Sequence, residues 1–250
     1  MKKTALGFFA HPDDAELVCA GTLALLSKAG WEIHIATMTP GDKGTAELSR
    51  EEISSIRKQE AKKAAGIINA VYHCLEFEDL YITYDRESVN RATAIIRKIR
   101  PSIVFTSSPA DYMKDHELTA TVVQAACFAS GVKNMEVDIS HFEPVPYLYY
   151  CDPMEGKDIF GEKITPSVYI DISDVIDIKE RMLACHESQR NWLIKHHKMD
   201  EYISAMKRFS VSRGNEAGVS YAEGLRQHLG HSFPQNNILL EILGNKVITR

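Results

Sequence analysis

The chain has 250 residues, of which 44% are hydrophobic and 25% are charged, and its formal net charge is −5. This composition is typical of a globular protein with a substantial core, and the acidic balance disfavours a nucleic-acid partner, which needs a clustered basic surface. No apolar run approaches the ~20 residues of a membrane helix, so we expect no membrane partner. The N-terminal apolar segment is too short for a secretory signal, which predicts a cytoplasmic protein.

Strands and helices alternate through the first 130 residues. Apolar runs predict strands at 5–9, 32–38, 71–75 and 102–105. Apolar residues near a 3.6-residue period predict helices at 15–29, 51–68, 89–99 and 116–129. Because the connections are short, this order predicts a Rossmann-like α/β fold, with a mostly parallel sheet and helices on both of its faces.

The pattern changes after residue 130, where several prolines interrupt the chain. We expect short strands at 147–150 and 167–170, helices at 175–187 and 199–209, and a tail rich in Gly and His. The whole chain, 1–250, is predicted to be a single domain. Residues 1–130 form its core, and residues 131–250 form a smaller α+β subdomain that packs on the sheet and completes the pocket.

Two clusters of His and Asp follow predicted strands. The first comprises His11, Asp13 and Asp14, and the second comprises Asp111, Asp115 and His116. Ligands of open α/β sheets bind at the carboxyl ends of the strands, so both clusters are expected at one edge. A catalytic zinc site needs three N or O ligands and an open position for water. Two imidazoles and one carboxylate suit Zn²⁺, and Fe²⁺ or Co²⁺ fits the same donors.

The spacing within the clusters suggests a separate role for each residue. His11 and Asp14 stand three residues apart in a turn, and His116 is the distant third ligand. Asp115 or Asp111 would hold the second ring nitrogen of His116, as carboxylates commonly do for ligating imidazoles. Asp13, which is spare as a ligand, would take a proton from metal-bound water and pass it to the departing nitrogen of an amide.

A plainer interpretation of the first cluster remains open. Asp13 and Asp14 are also common residue types at helix N-termini, so they would simply cap the helix that follows, with His11 exposed. A nucleotide-binding Rossmann protein is disfavoured, because the turn at 10–16 lacks the three glycines of its fingerprint.

The stretch Ala-His-Pro-Asp-Asp-Ala-Glu-Leu at 10–17, followed by Ala-Gly-Thr-Leu at 20–23, resembles the signature of the PIG-L (LmbE-like) family of zinc-dependent N-deacetylases. Looser similarity continues at 44–48, 57–61 and 77–80. Members of this family remove acetyl groups from compounds that contain N-acetylglucosamine. The resemblance therefore implies a Rossmann-like hydrolase with a small N-acylated substrate, and it favours a homo-oligomer.

The same resemblance implies roles for individual residues. The zinc ligands would be His11, Asp14 and His116, and the general base would be Asp13. Asp115 matches the Asp that precedes the last histidine of the family, and Arg57 matches an arginine near the substrate. From the sequence alone, Arg57 is equally well explained as an exposed partner of Glu60.

One position departs from the family pattern. The second motif is commonly His-Pro-Asp-His, but here it is Met113-Lys114-Asp115-His116. Methionine neither donates a proton nor stabilises an oxyanion. Three explanations remain: Lys114 or one of His186, His228 and His231 replaces the histidine, Asp13 performs both proton transfers, or hydrolysis is lost.

We therefore predict a metal-dependent N-deacetylase of an N-acetylglucosamine-type sugar or conjugate. A deacylase of a non-sugar amide is a variant of this prediction, because the metal centre contacts only the amide carbonyl of the substrate. The alternative from another class is a non-catalytic protein that retains the metal and the pocket.

Overall fold

The computed structural model describes residues 3–197 and 202–249. Every strand of these residues joins one eight-stranded sheet of order β3-β2-β1-β4-β5-β7-β6-β8. The strands are β1 (Thr4–Phe9), β2 (Glu32–Thr37), β3 (Val71–Cys74), β4 (Ile103–Thr106), β5 (Tyr147–Cys151), β6 (Val168–Asp171), β7 (Ala222–Gln227) and β8 (Val247–Thr249).

Strands β1 to β5 are all parallel, and helices cover both faces of the sheet. The helices are α1 (Asp14–Val18), α2 (Ala20–Lys28), α3 (Arg50–Gly66), α4 (Arg86–Ile99), α5 (Lys114–Ala129), α6 (Ile176–Leu183), α7 (Glu187–His197), α8 (Tyr202–Ala217) and α9 (Ile238–Leu243). Separate apolar cores lie on the two faces, one beneath α2, α3 and α6 and the other beneath α4 and α5. The predicted Rossmann-like α/β class is confirmed.

The prediction of a single helix at 15–29 is wrong. Its backbone breaks at Cys19 (φ −141°), which separates α1 from α2. The free N–H groups of Gly21 and Thr22 at the start of α2 donate to the carboxylate of Glu223, at 2.9 and 2.7 Å. Because Glu223 lies about 200 residues away in β7, no local sequence pattern predicts this break.

The C-terminal third adds strands to the same sheet. Strands β7, β6 and β8 run antiparallel to their neighbours, with β7 inserted between β5 and β6. The helix predicted at 175–187 ends at Leu183, and the one predicted at 199–209 continues to Ala217, its first three residues lying outside the described part. No helix within the described residues is long and apolar enough to cross a membrane.

Candidate metal centre and active site

Three predicted metal ligands meet at the carboxyl edge of the parallel strands. His11 and Asp14 follow β1, and His116 lies in the first turn of α5, which follows β4. One ligand atom from each of the three lies within 4.8 Å of the others. The side chains are only 8%, 12% and 12% exposed. The two strand ends therefore converge on one small cluster, as the sequence predicts.

Carboxylates fix both imidazole rings. Asp111 Oδ1 lies 3.0 Å from His116 Nδ1, and Asp79 Oδ1 lies 2.8 Å from His11 Nε2. The opposite nitrogens face Asp14: His11 Nδ1 is 3.5 Å from Oδ2 and His116 Nε2 is 3.4 Å from Oδ1. Each ring thus turns one nitrogen to a carboxylate behind it and the other nitrogen inward. This is how ligating imidazoles are commonly oriented.

The partner of His116, which the sequence left open, is Asp111. Asp115 instead lies behind His11, with Oδ2 3.4 Å from Nε2. The same oxygen accepts a 2.7 Å hydrogen bond from the backbone N–H of Leu80. Asp115 therefore links His11 to the loop after β3.

Ion pairing within the cluster shifts the pKa values of His11, Asp14 and His116. Burial alone would lower the pKa of His11, but the hydrogen bonds that it donates to the surrounding carboxylates, led by Asp115, raise the pKa well above its ordinary value. Burial has the same effect on His116, yet Asp14 and Asp111 raise its pKa to about 10. Burial would raise the pKa of Asp14, but the two imidazolium charges hold it well below its usual range. A metal ion that binds here must displace protons from the rings.

Asp13 stands beside this cluster in a strained conformation. Its φ of 100° lies in the left-handed region, which costs a non-glycine residue about 1–3 kcal/mol. Its side chain makes no cap hydrogen bond to the following helix. Instead, Oδ1 accepts from Arg57 Nη2 at 3.2 Å and Oδ2 accepts from the Tyr202 hydroxyl at 2.5 Å. Burial raises the pKa of Asp13, and the charge of Arg57 opposes that rise.

Arg57 is buried, with only 4% of its surface exposed. Its Nη2 also donates to the carbonyl of Pro12 at 2.7 Å, so it holds the backbone and the side chain of the turn together. Gly41 and Gly44 pack against the guanidinium, and a Cβ at either would lie 2.3 or 2.5 Å from Nη1. The glycine-rich loop after β2 is therefore shaped around Arg57, which excludes the exposed Arg57–Glu60 interpretation.

A cavity of about 650 Å³ opens above these residues. Of the residues predicted for the site, all but Asp111 and Asp115 line it. The lining also includes Lys43, Leu80, Tyr112, Met113, Met154, Gln189 and Ala205. Met113 occupies the position where the family commonly has histidine. Of the replacements considered, none lines the cavity within the described residues.

Three of these four alternatives contact other groups, and the fourth is exposed. Lys114 pairs with Glu117 on the exposed face of α5. His186 is buried 3.5 Å from the carboxylate of Glu16, and it is also near enough to Asp13 for the two charges to interact. His228 bonds to the Tyr150 hydroxyl, and His231 is exposed. Among polar groups near Asp13, the sequence analysis missed Tyr202, because nothing in the sequence links α8 to the first strand.

The donor set fits a divalent transition metal. Two imidazole nitrogens and one carboxylate oxygen, all close together and nearly buried, match the ligands of catalytic zinc sites. A second group, His11 with Asp79 and Asp115, shares His11 and is also compact. Its carboxylates already accept backbone N–H groups of Lys43 and Leu80, so we assign them to holding His11 in place.

The fold and the donor cluster together define an α/β protein with a candidate metal centre at the carboxyl edge of its parallel strands. Residues 6–127 match the family described as "PIG-L: GlcNAc-PI de-N-acetylase". This match confirms the resemblance to that family seen in the sequence.

Two kinds of enzyme activity are named among the relatives of this chain. The chain is 29% identical over 224 residues to a diacetylchitobiose deacetylase of Thermococcus kodakarensis, covering 86% of this chain and 79% of the relative. It is 24% identical over 236 residues to a 4-oxalmesaconate hydratase of Pseudomonas putida, covering 90% and 89%. The crystal structure of N,N'-diacetylchitobiose deacetylase from Pyrococcus horikoshii shares the fold, with a TM-score of 0.77 at 24% identity, covering 94% of this chain and 88% of that one.

Proposed function

We propose that this protein is a metal-dependent hydrolase that removes the acyl group from an N-acylated amino sugar of the N-acetylglucosamine type. The observation that carries the proposal is the position of Asp13. Its carboxylate lies beside a buried cluster of two imidazoles and one carboxylate, at the floor of a cavity large enough for a sugar. A site that only stored a metal would have no use for an additional carboxylate held by Arg57 and Tyr202.

In this proposal His11, Asp14 and His116 hold the metal, and their donor atoms favour Zn²⁺, with Fe²⁺ or Co²⁺ as other fits. When bound, the ion acts as a Lewis acid that polarises a carbonyl and lowers the pKa of water toward ~7. Asp111 orients His116, while Asp79 and Asp115 orient His11. We thus assign Asp115 a positioning role at His11.

Asp13 supplies the proton transfers. It accepts a proton from the attacking water as the new C–O bond forms, and it returns that proton to the nitrogen as the C–N bond breaks. The products are a carboxylic acid and a free amine. Arg57 and Tyr202 hold the two carboxylate oxygens, so Asp13 keeps one orientation through both steps. This favours the explanation in which Asp13 performs both transfers without the family histidine.

The rest of the cavity suits a small polar molecule with an apolar side. Lys43 and Gln189 offer hydrogen-bonding groups, while Leu80, Tyr112 and Met113 form an apolar wall. Deacetylases of amino-sugar compounds among the relatives agree with this assignment. A non-sugar amide fits the same metal centre and is distinguished by substrate screening.

A second candidate is addition of water to a carbon–carbon double bond. One relative that covers most of this chain is named a hydratase, and Met113 in place of the usual histidine marks a departure from the deacetylase pattern. Such a reaction would use Asp13 to take a proton from water, but it would release neither acid nor amine. Product analysis therefore separates the two candidates.

The first experiment measures metal content and acetate release together. We expect wild type to contain about one zinc per chain and to release acetate from N-acetylglucosamine or diacetylchitobiose. Chelation should stop the release, and added Zn²⁺ should restore it. His116→Ala should lose both metal and turnover. If wild type neither contains nor takes up a metal, a metal-free binding protein is the better interpretation. Full metal loading with hydration of 4-oxalmesaconate and no acetate release would favour the hydratase.

A further inference from the structure

A second, smaller cavity adjoins the metal-binding residues Asp14 and His116. It has a volume of about 40 Å³, and we call it the back cavity. It shares Asp14, Leu17, Tyr112, His116 and Met154 with the large cavity, and its own lining consists of Phe9, Val18, Ser107, Asp111 and Asp152. Asp14 and His116 line both cavities, so the candidate metal centre borders each of them.

The position of Asp13 orients the substrate between the two cavities. Asp13 lines the large cavity and is not part of the back-cavity lining. Since Asp13 returns a proton to the departing nitrogen, the amine part of the substrate must lie in the large cavity. The acyl chain, on the opposite side of the carbonyl carbon, then points away from Asp13. We propose, on the basis of the function above, that the back cavity is the acyl pocket and selects short chains that end in a hydrogen-bond donor.

The volume of the back cavity limits the length of the acyl chain that it can hold. A water-sized group needs about 10–15 Å³ of such space, so the cavity accepts roughly three non-hydrogen atoms. Its walls include Phe9 and Val18, and Phe9 is wholly buried in the core. Close-packed walls of this kind resist enlargement. Acetyl, hydroxyacetyl and propionyl chains fit, whereas a hexanoyl chain must displace core side chains.

Asp152 is one of three polar residues that line only the back cavity, with Ser107 and Asp111. Asp152 is 3% exposed and follows β5. Its Oδ2 accepts a 2.7 Å hydrogen bond from Arg213 Nε, whereas Oδ1 has no hydrogen-bond partner among the described residues. A buried acceptor without a donor is unfavourable. A hydroxyl at the end of the acyl chain supplies that donor, and the methyl group of a propionyl chain of equal length does not.

The test compares chains that differ in one property. N-hydroxyacetyl- and N-propionylglucosamine have acyl groups of equal heavy-atom count, so the ratio of their kcat/KM values isolates the donor. We expect wild type to favour hydroxyacetyl about tenfold or more, since pairing a buried polar group discriminates strongly. N-hexanoylglucosamine should react at least about a hundredfold more slowly than the acetyl compound. Equal rates for hydroxyacetyl and propionyl would overturn the role of Asp152, and fast hexanoyl cleavage would overturn the pocket.

Two variants assign the effect to one cavity. Val18 lines only the back cavity, so Val18→Ala should raise the butyryl-to-acetyl ratio about tenfold. Ala205 lines only the large cavity, so the matched variant Ala205→Val should change KM and leave that ratio within about twofold. Equal changes in the ratio for both variants would contradict the assignment.

Asp152→Asn tests the donor selection while leaving an acceptor for Arg213. We expect the hydroxyacetyl-to-propionyl ratio to fall about tenfold, because a charged acceptor binds a hydroxyl more strongly than an amide does. Thermal unfolding of this variant shows whether it folds.

If it does not, the ratio of glycolate to propionate affinity in zinc-loaded wild type decides the same point without turnover. Failure to cleave any N-acylglucosamine would overturn the proposed function, whereas equal binding of the two acids would overturn the acyl pocket.

Discussion

The hydroxyl of Tyr202 donates a 2.5 Å hydrogen bond to Oδ2 of Asp13, which lies 189 positions earlier in the chain. Arg57 donates to the other oxygen at 3.2 Å. Both donors are buried, so water does not compete with them. The carboxylate that we assign as general base is thus held in one orientation by two elements from distant parts of the sequence.

Tyr202→Phe should therefore lower kcat about tenfold, since a general base works only when it is aligned with the proton that it transfers. The ring remains, and Tyr202 is not a metal ligand, so metal content and KM should stay close to wild type. Tyr149→Phe is the matched control, because the hydroxyl of Tyr149 bonds to Asn237 outside the large cavity. An unchanged kcat in Tyr202→Phe would mean that Arg57 alone positions Asp13.

Asp13→Asn should lower turnover by ~10²–10⁴, the usual contribution of a general base, while metal content remains that of wild type. The amide preserves the shape of the side chain but cannot accept the proton. Elemental analysis and acetate release measured on one preparation separate the two effects. Wild-type turnover in this variant would show that the mechanism proposed for Asp13 is wrong.

Asp111→Ala should weaken metal binding 10–100-fold, the typical effect of losing the group behind a ligating imidazole. The carboxylate of Asp111 holds Nδ1 of His116 at 3.0 Å and so points Nε2 inward. Competition with a chelator measures the affinity. Asp138→Ala on the exposed surface should bind the metal as wild type does. If Asp111→Ala also binds normally, His116 is held by its packing alone.

The parallel half of the fold could be predicted because its signals are local. Each buried strand is a short apolar run bounded by turn residues, and the bounds at β1 and β2 differ from the predicted ones by only one residue. In the C-terminal part, β5 and β6 were predicted within one residue, but β7 and β8 were not. Strand β7, Ala-Glu-Gly-Leu-Arg-Gln, carries a buried Glu223 whose charge is balanced by Lys179 at 2.7 Å. A strand stabilised by a distant counter-ion has no apolar pattern to reveal it.

The candidate site divides in the same way. His11, Asp13 and Asp14 form one short motif, so the sequence alone could identify them as functional candidates. The partner of His116 remained open between Asp111 and Asp115, because which carboxylate reaches which ring depends on the path of the loop before α5. Tyr202 could not be found at all, since its contact with Asp13 exists only once α8 packs over the first turn.

Met113→His restores the residue that the family commonly has, and it should retain or raise deacetylation of simple N-acetylglucosamine conjugates. The side chain lines the large cavity and makes no cap hydrogen bond to α5, so the change removes no polar contact. A preorganised donor is typically worth ~10²–10³ in turnover, which sets the upper limit of the gain. Met113→Leu is the apolar control. A sharp loss in Met113→His alone would mean that Met113 shapes the cavity for a different substrate.

A pair of histidines away from the site should make stability depend on pH. His73 Nε2 lies 3.0 Å from His34 Nδ1 across strands β2 and β3. Burial, and then the nearby His34, lower the pKa of His73 to about 4. Its pKa in the unfolded chain is about 6.5, so the unfolded state binds more protons between these values. The free energy of unfolding is therefore fully retained above pH ~6.5 and falls as the pH drops toward ~4.

His73→Gln should remove this component, which we expect to be about 1 kcal/mol because solvent screens a half-buried group. The measurement is urea unfolding of wild type and variant at pH 7.5 and pH 5, comparing the change in unfolding free energy for each. His141→Gln, at an exposed histidine, should keep the wild-type change. Comparing variants cancels the contribution of the histidines in the metal centre, which titrate in both proteins. If His73→Gln loses as much stability on acidification as wild type, His73 is protonated as readily in the folded protein as in the unfolded chain.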